Sequence, residues 1–472
     1  MALTVQTRGV ADDGIRRGRL ARGLPLARLA VRQGIGRVAG KLTRDEQRKL
    51  DRFTREAERY VAVLGDMKGV AMKVGQLLSF LDAGAIPEQH RAAYQQIIGA
   101  LQADAPPMPF DTVRLVIERE LKRPVEEVFA WIDERPMAAA SIGQVHAAHL
   151  PDGRKVVVKV QYPGVADAIR ADLQNTELLA SFASMGAKLS PIRVTADPTA
   201  IVEEVTERIT EELDYRIEAA NQTAFGSHYD GHPFIRIPEV VSELSTERVL
   251  VMDHHDGLRW TAALDQPQEL KNTWGETIHR FVFGSLYDFG EFNADPHPGN
   301  YLFHDDGGVT FLDFGCVKRF SPHQVAAMRR ISAAVFEDDD ADALFESFVD
   351  LGCILRKTKL QPQRVFDWWA PIWDPGRGES PPFTFTSEFA AWVMERNFDA
   401  FGEWRDIARG MGIGRESKDW TFLTRIQLGL YSVLGALRAS RDWRAIHDEL
   451  RKGDPPKTVL GQQHQAWKAA RT

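Results

Sequence analysis

The sequence predicts an α+β protein in which a small strand-rich lobe is followed by a larger, mostly helical lobe. Short apolar segments bounded by turn residues predict strands at 137–150, 155–161, 235–241 and 248–252. Beyond residue 258, apolar residues recur mainly at helical spacing, and one short strand pair is predicted, at 301–303 and 309–312 around the turn at 305–308. Helices are predicted before these strands as well, including 110–121.

A chain of 472 residues is too long for one ordinary hydrophobic core, so several structural units are expected. The shifts in composition and periodicity predict four segments. These are a basic amphipathic or flexible tail, a helical extension, the strand-rich N-lobe and the helical C-lobe, at 1–45, 46–130, 131–256 and 257–472.

Composition excludes several classes of protein. Hydrophobic residues make up 44% of the chain and charged residues 26%, which is typical of a folded domain rather than a disordered one. The net charge of −7 disfavours a dedicated nucleic-acid binder, since such domains are usually basic. With only Cys316 and Cys353, a disulfide framework is excluded. Because no apolar run approaches the roughly 20 residues of a membrane span, we expect a cytoplasmic protein without a transmembrane segment.

The segment 8–41 is strongly basic, with nine Arg or Lys residues and two Asp. Leucine, isoleucine and valine are threaded through it, as in helices that lie on anionic lipid surfaces. Several glycines and Pro25 favour the other interpretation, a solvated tail. Peripheral membrane contact and a solvated tail both stay open.

Three residues with side-chain oxygens have a spacing that indicates a metal-binding and catalytic site. Asp295 and Asn300 lie five residues apart in a loop rich in proline and glycine, and Asp313 begins an Asp-Phe-Gly sequence after an apolar strand. Asn300 and Asp313 can supply oxygens to a phosphate-bound Mg²⁺, while Asp295 can orient a hydroxyl or water. Asp-x₄-Asn followed by Asp-Phe-Gly is the spacing of the catalytic and metal loops of kinases.

Lys159 is the only charge inside the apolar strand 156–160. A lone strand lysine usually points to solvent, but a buried ammonium needs an acid or a phosphate beside it. A downstream helix offers four acids, Glu211, Glu212, Asp214 and Glu218. With the kinase-like spacing beside it, the pair Lys159 and Glu218 is the predicted phosphate anchor.

A run of small residues, Ala138, Ala139, Ala140 and Ser141, lies before Lys159 where a kinase has its glycine-rich phosphate loop. Alanine at glycine positions restricts the backbone and hinders a close approach to phosphates. A tight hairpin of small residues without a ligand is the alternative.

Together these motifs resemble the UbiB/AarF family of atypical, protein-kinase-like ATPases, which includes the mitochondrial coenzyme Q accessory kinases. The family's Lys-x-Gly-Gln signature matches residues 73–76, its alanine-rich loop 138–141 and its Glu-x-Asp 212–214. The resemblance implies a protein-kinase-like two-lobe fold, with a helical N-terminal extension across the active site. It also implies that Lys73 and Gln76 face the nucleotide, and that Glu212 and Asp214 contribute near the phosphates and metal.

Five residues separate Gly315 from Ser321, and the chain contains no Ala-Pro-Glu, so protein phosphorylation in trans is not expected. The resemblance implies ATP and Mg²⁺ as cofactors and slow ATP hydrolysis, or phosphate transfer to a small lipid-like acceptor, in support of isoprenoid-quinone metabolism. It also implies a lipid or quinone-precursor ligand. The alternatives are a nucleotide-gated binding module without chemistry and a small-molecule kinase of the antibiotic-phosphotransferase type. The tryptophan-rich segment 368–443 predicts a helical core, with an apolar ligand pocket as the alternative.

Overall fold

The structure is a computed structural model that describes residues 107–140, 142–167, 210, 213–293, 296–354, 356–377, 381–398, 404, 407 and 418–471. The chain divides into two compact units, 1–106 with 167–172, and 107–166 with 173–472. Apart from Asp167, the described residues belong to the second unit. The basic segment 8–41 and most of the predicted helical extension lie outside the described residues. The four-segment division stays a prediction.

The helices, numbered in chain order within the described residues, are α1 (Phe110–Leu121), α2 (Val125–Val128), α3 (Tyr215–His228), α4 (Trp260–Leu264), α5 (Gln268–Gly284), α6 (Pro322–Ala333), α7 (Ala341–Asp350), α8 (Pro362–Trp369), α9 (Asp374–Arg377), α10 (Ser387–Phe398), α11 (Lys418–Leu437), α12 (Trp443–Lys452) and α13 (Val459–Arg471). Short 3₁₀ turns occur at Ser242–Leu244, Pro298–Asn300 and Ala370–Trp373, and π-helical turns at Ser285–Phe289 and Ala334–Asp338.

The strands are β1 (Trp131–Ile132), β2 (Ala138–Ala140), β3 (Gly143–His149), β4 (Lys155–Gln161), β5 (Ile235–Arg236), β6 (Val249–Asp253), β7 (Glu291–Asn293), β8 (Tyr301–Phe303), β9 (Val309–Phe311), β10 (Val317–Arg319), β11 (Phe383–Thr384) and β12 (Ser440–Arg441). The predicted strand-rich lobe followed by a helical lobe is therefore present.

The N-lobe is an antiparallel sheet in the order β1-β3-β4-β6, with β2 on β3. Val156, Val158 and Val160 of β4 are buried on one face of this sheet. They share a core with Val113 and Ile117, which lie four residues apart on α1 and so on one face of that helix. Helix α1 begins and ends as the sequence predicts and packs with the sheet.

Two small sheets lie outside the N-lobe sheet. Strands β8 and β9 form the predicted hairpin, and β5 pairs in parallel with β9. Strand β10 pairs with β7, a pair that the sequence does not predict. Both strands have three residues, which is too short for a recognisable alternation of apolar and polar side chains.

The predicted strand at 235–241 is wrong over most of its length, because only Ile235–Arg236 is a strand. Pro238 lacks a backbone N–H and interrupts the strand, and beyond it Val240 forms only an isolated bridge with Met252. The predicted strand at 137–150 is two strands, β2 and β3, that pair antiparallel with each other.

The helical lobe contains the larger hydrophobic core. Trp368, Trp369 and Trp443 are each at most 5% exposed within it, which confirms the helical-core prediction for these three tryptophans. None of the helices in the described part of the chain combines the length and the hydrophobicity that a bilayer span requires.

Candidate active site

Lys159 is placed by the two faces of β4. The valines at 156, 158 and 160 point into the core shared with α1, so Lys159 points to the opposite face. The sequence of β4 is nearly all apolar because one face of the strand is buried and Val157 lies on the other face. The sheet is not buried on both sides. Its lysine therefore belongs to the face that α3 approaches.

Helix α3 brings Glu218 to Lys159. Tyr215, Glu218, Gln222 and Phe225 recur at helical spacing and are all buried, so this face of α3 lies against the protein. Asp214 caps the helix, since its carboxylate accepts from the backbone N–H of Arg216. The two carboxylate oxygens of Glu218 each lie 2.8 Å from the Nζ of Lys159.

The Lys159 ammonium is stabilised in its charged form. Burial alone would lower the pKa of Lys159, but the attraction of Glu218, followed by that of Asp313, outweighs burial and holds the pKa well above its ordinary value. The Oδ2 atom of Asp313 lies 3.9 Å from Nζ. The ring of Tyr215 lies 5.0 Å from Nζ and adds a cation–π contact.

Asn300 and Asp313 are brought together by the β8–β9 hairpin. Tyr301 pairs with Phe311, and the backbone N–H of Leu312 donates to the carbonyl of Asn300 at 2.9 Å. The next residue, Asp313, therefore lies beside Asn300 at the same end of the hairpin. An amide oxygen and a carboxylate at this end fit Mg²⁺, which is commonly held by few protein oxygens together with phosphates and water.

The Asp-Phe-Gly segment is held tightly from both sides. The Oδ1 atom of Asp313 accepts from the backbone N–H of Gly315 at 2.9 Å, and the amide of Asn293 donates to the carbonyl of Asp313 at 2.7 Å. Phe314 is fully buried, with its ring 5.0 Å from that of Phe225 on α3. Asp313 consequently faces Lys159, and its side chain is 34% exposed.

The three alanines of the small-residue run form strand β2, and Ser141 lies outside the described residues. Ala138 pairs with Val145, which in turn pairs with Lys159, so Ala138 and Ala140 share the sheet face of Lys159. The side chain of Ala139 points to the opposite face of the sheet and is exposed. Gly143, after the turn, has no room for a side chain, because a Cβ there would lie 2.1 Å from the carbonyl oxygen of Val160.

After Gly315 the chain enters β10 almost at once. Val317–Arg319 pairs with Glu291–Asn293, and α6 begins at Pro322 behind a capping box of Ser321 and Gln324. The segment between Gly315 and Pro322 is therefore a strand and a helix cap, with no activation loop.

The sequence profile of the ABC1 atypical kinase-like domain matches residues 100–347, more than half of the chain. The chain belongs to the ABC1 atypical kinase-like family. The resemblance to UbiB/AarF proteins is thereby confirmed, and so is the kinase-like fold. The matched residues include Lys159, Glu218, Asn300 and Asp313, which the structure brings to one place.

Curated members of the ABC1 family align with much of this chain. The chloroplastic protein ACTIVITY OF BC1 COMPLEX KINASE 1 of Arabidopsis thaliana is 34% identical over 323 residues, 66% of this chain and 46% of the relative. The mitochondrial atypical kinase COQ8B of Rattus norvegicus is 33% identical over 300 residues, 62% and 54%. Mitochondrial COQ8 of Saccharomyces cerevisiae is 31% identical over 351 residues, 74% and 67%. The alignments thus span about half of the length of the first two relatives.

A solved structure is similar as well. The complex of Rv3197 with erythromycin from Mycobacterium tuberculosis has a TM-score of 0.59 and 29% identity, and the match covers 86% of this chain and 98% of that one. The similarity extends beyond the matched ABC1 domain and includes most of the chain.

Several predicted site residues of this ABC1 domain protein lie outside the described residues. These are Lys73, Gln76, Ser141, Glu212 and Asp295. Asp214, predicted near the phosphates, caps α3 and forms an ion pair with Arg216. The functional roles of all six stay predictions.

The sequence interpretation missed two asparagines at the site. Asn293 is the first residue of the Asn-Ala-Asp-Pro-His-Pro-Gly-Asn segment, so the neighbouring motif could have indicated a residue of the site. It is not one of the positions in the Asp-x₄-Asn and Asp-Phe-Gly spacing of kinases. Asn221 carries no such signal, because it is one polar residue among several on α3. Both donate to main-chain carbonyls of the Asp-Phe-Gly segment.

Proposed function

We propose that this protein binds ATP with Mg²⁺ at the Lys159–Glu218–Asp313 site, and that it hydrolyses ATP or transfers phosphate to a small lipid-like acceptor. One observation carries the proposal. The ammonium of Lys159 donates to both carboxylate oxygens of Glu218 and lies 3.9 Å from Asp313. In kinases, the lysine–glutamate pair and the Asp-Phe-Gly aspartate must both be in place for phosphoryl transfer.

Each residue has a proposed part in this function. Lys159, oriented by Glu218, binds phosphate oxygens through its ammonium. Asn300 and Asp313 hold Mg²⁺, which when bound neutralises charge that develops on the phosphates. Asp295 orients the attacking hydroxyl or water. We further propose that Lys73, Gln76, Glu212, Asp214 and the small residues 138–141 contact the nucleotide.

Two observations bear on the acceptor. The segment from Gly315 to Pro322 forms β10 and a helix cap, and so lacks the platform on which protein kinases dock a peptide. Relatives are named COQ8 and probable protein kinase UbiB. We therefore propose an isoprenoid-quinone precursor or a related lipid as the ligand, reached by peripheral membrane contact through residues 8–41.

A second candidate function is a nucleotide-dependent binding module without chemistry. The erythromycin complex of the similar structure supports it, because a small molecule that is not a nucleotide is bound there. In this chain, Asp295 together with Asn300 and Asp313 favours the enzyme, since a module that only binds a nucleotide has no need of all three.

The test measures ATP binding by thermal shift and phosphate release with and without Mg²⁺ and anionic liposomes. Lys159→Met and Asp313→Asn should each lower Mg²⁺-dependent phosphate release by at least about 100-fold, as removal of a preorganised charge does. Lys73→Ala tests the proposed contact outside the described residues. Lys155→Met is the matched control, because Lys155 is an exposed lysine on the same strand.

The outcomes separate the two candidates. Phosphate release that is lost in Asp313→Asn and retained in Lys155→Met supports the enzyme. ATP binding without phosphate release under every condition rejects the enzyme and leaves the binding module. The absence of ATP binding by the wild type rejects both.

A further inference from the structure

Asn221 links the helix of the ion pair to the Asp-Phe-Gly segment. It lies three residues after Glu218 on α3, on the same buried side, and is 6% exposed. Its Nδ2 atom donates to the carbonyl of Phe314 at 3.0 Å. The contact joins residues 93 positions apart, so only the folded chain creates it.

The peptide bond between Phe314 and Gly315 transmits this contact to Asp313. A peptide unit is planar, so its C=O and N–H point in opposite directions and rotate together. The carbonyl of this unit accepts from Asn221, and its N–H donates to the Oδ1 atom of Asp313. Holding the carbonyl therefore holds the N–H that orients the Asp313 carboxylate.

Arg319 determines which way the Asn221 amide points. The Nη2 atom of Arg319 donates to Oδ1 of Asn221 at 3.0 Å, and arginine has no acceptor, so the amide nitrogen must face Phe314. Arg319 is itself held by Glu291, with Nε 2.9 Å from the carboxylate. Strand β10, which takes the place of an activation loop, thus supplies the residue that fixes Asn221.

We propose that Asn221 is a positioning residue that orients the Asp313 carboxylate toward the metal and couples it to the Lys159–Glu218 ion pair. This inference rests on the proposed function. One helix carries both Glu218 and Asn221, so a shift of α3 disturbs the ion pair and the metal ligand together. The site is then assembled by packing and β10 rather than by phosphorylation of a loop.

The test is a Mg²⁺ titration of the full chain at saturating ADP. The readout is the shift in melting temperature, not activity. Asn221→Leu keeps the approximate volume and removes the donor. Asn221→Asp keeps the acceptor for Arg319 and removes the donor, so it can decide the question if the leucine variant does not fold. Each variant should raise the Mg²⁺ concentration at half-maximal shift by about tenfold, as loss of outer partners of metal ligands does.

Gln222→Met is the matched control. Gln222 is the next residue of α3, is fully buried, and donates to the carbonyl of Pro238 at 2.7 Å, away from the Asp-Phe-Gly segment. Its variant loses a comparable hydrogen bond from the same helix. It should lower the melting temperature and leave the Mg²⁺ midpoint unchanged.

Unchanged Mg²⁺ midpoints in both Asn221 variants, together with loss of the Mg²⁺ response in Asp313→Asn, overturn this inference and leave the proposed function standing. An equal change in Gln222→Met also overturns it, because the effect would then belong to the helix as a whole. If the wild type has no Mg²⁺-dependent ADP response, the proposed function fails and this inference with it.

Discussion

Two cations, Arg280 of the helical lobe and Lys159 of the sheet lobe, are held by carboxylates in different ways. The side chain of Arg280 has no exposure, and its three nitrogens donate to Glu276, Glu449 and Thr458. Lys159 is 13% exposed, and besides Glu218 it has Asp313 nearby, at 3.9 Å. All three nitrogens of Arg280 donate hydrogen bonds within the protein, whereas the lysine site borders solvent through Asp313.

This difference separates a structural charge from one arranged for a ligand. A buried ion pair with complete hydrogen bonding stabilises the fold mainly because each charge would be costly alone. A cation at the edge of solvent, facing a carboxylate beyond hydrogen-bond distance, can donate hydrogen bonds to phosphate oxygens without first losing a partner. The variants below test the comparison, beginning with the largest expected effect.

Arg280→Met should lower the free energy of unfolding by about 3–5 kcal/mol, because Glu276 and Glu449 lose their buried partner. The measurement is urea denaturation. Arg441→Met is the control, since Arg441 also binds Glu276 but is 18% exposed, and its loss should be smaller. Equal losses in the two variants would contradict the structural role assigned to Arg280.

His464, beside Arg280, should make the helical lobe acid-sensitive. Burial, followed by the charge of Arg280, lowers the pKa of His464 from 6.5 to about 3. Between these values the unfolded chain binds a proton that the folded chain does not, so stability falls as the pH falls below 6.5. Between pH 8 and pH 5 this histidine should cost about 2 kcal/mol.

His464→Gln removes this proton uptake and can still accept from His232, which lies 2.9 Å from His464. Its loss of stability between pH 8 and pH 5 should be smaller than that of the wild type by about 2 kcal/mol, measured by urea denaturation at each pH. Parallel pH profiles for the two proteins would mean that His464 titrates normally in the folded state.

Lys159→Met should lower the free energy of unfolding by only about 1–2 kcal/mol, because it leaves one buried carboxylate, that of Glu218, without its partner, whereas Asp313 is 34% exposed to water. Its effect should instead appear with nucleotide. Saturating MgATP at 100 times its Kd should stabilise the wild type by about 2.7 kcal/mol and this variant hardly at all. A loss as large as that of Arg280→Met would remove the distinction between the two cations.

Asp350→Asn gives the smallest effect and calibrates the others. Asp350 pairs with Arg330 at 2.8 Å, but both side chains are at least one-third exposed, so water screens the interaction. The expected loss is about 0.5 kcal/mol or less, and salt should reduce it further. Denaturation at low and high salt measures it, and a loss above 2 kcal/mol would show that exposure is a poor guide to these pairs.

Much of the fold follows from local patterns in the sequence. The residues of α1 and the β8–β9 hairpin are predicted by periodicity and turn residues, and the structure contains both. The pairing of Lys159 with Glu218 follows from the cost of a buried charge together with the kinase spacing. The strand predicted at 235–241 fails because Pro238 outweighs the apolar residues around it.

The contacts that orient the site residues, by contrast, join residues that are far apart in the sequence. Asn221 and Arg319 donate across 93 and 98 positions, and each is an ordinary polar residue within its own segment. The β7–β10 pair is similar, since three-residue strands have almost no periodicity to detect. Arg280 reaches Glu449 across 169 positions, and its burial has no local sign.

By itself, the sequence determined the order of the lobes, the chemical groups of the site and their resemblance to kinase motifs, because strand alternation and motif spacing are local properties of the chain. Only the tertiary structure decided that both oxygens of Glu218 accept from Lys159 and that Asn221 donates to the peptide bond that follows Phe314. It also decided that Arg280 is completely buried. Hydrogen bonds require positions accurate to a few tenths of an ångström. Between distant residues, such positions exist only once the chain has packed.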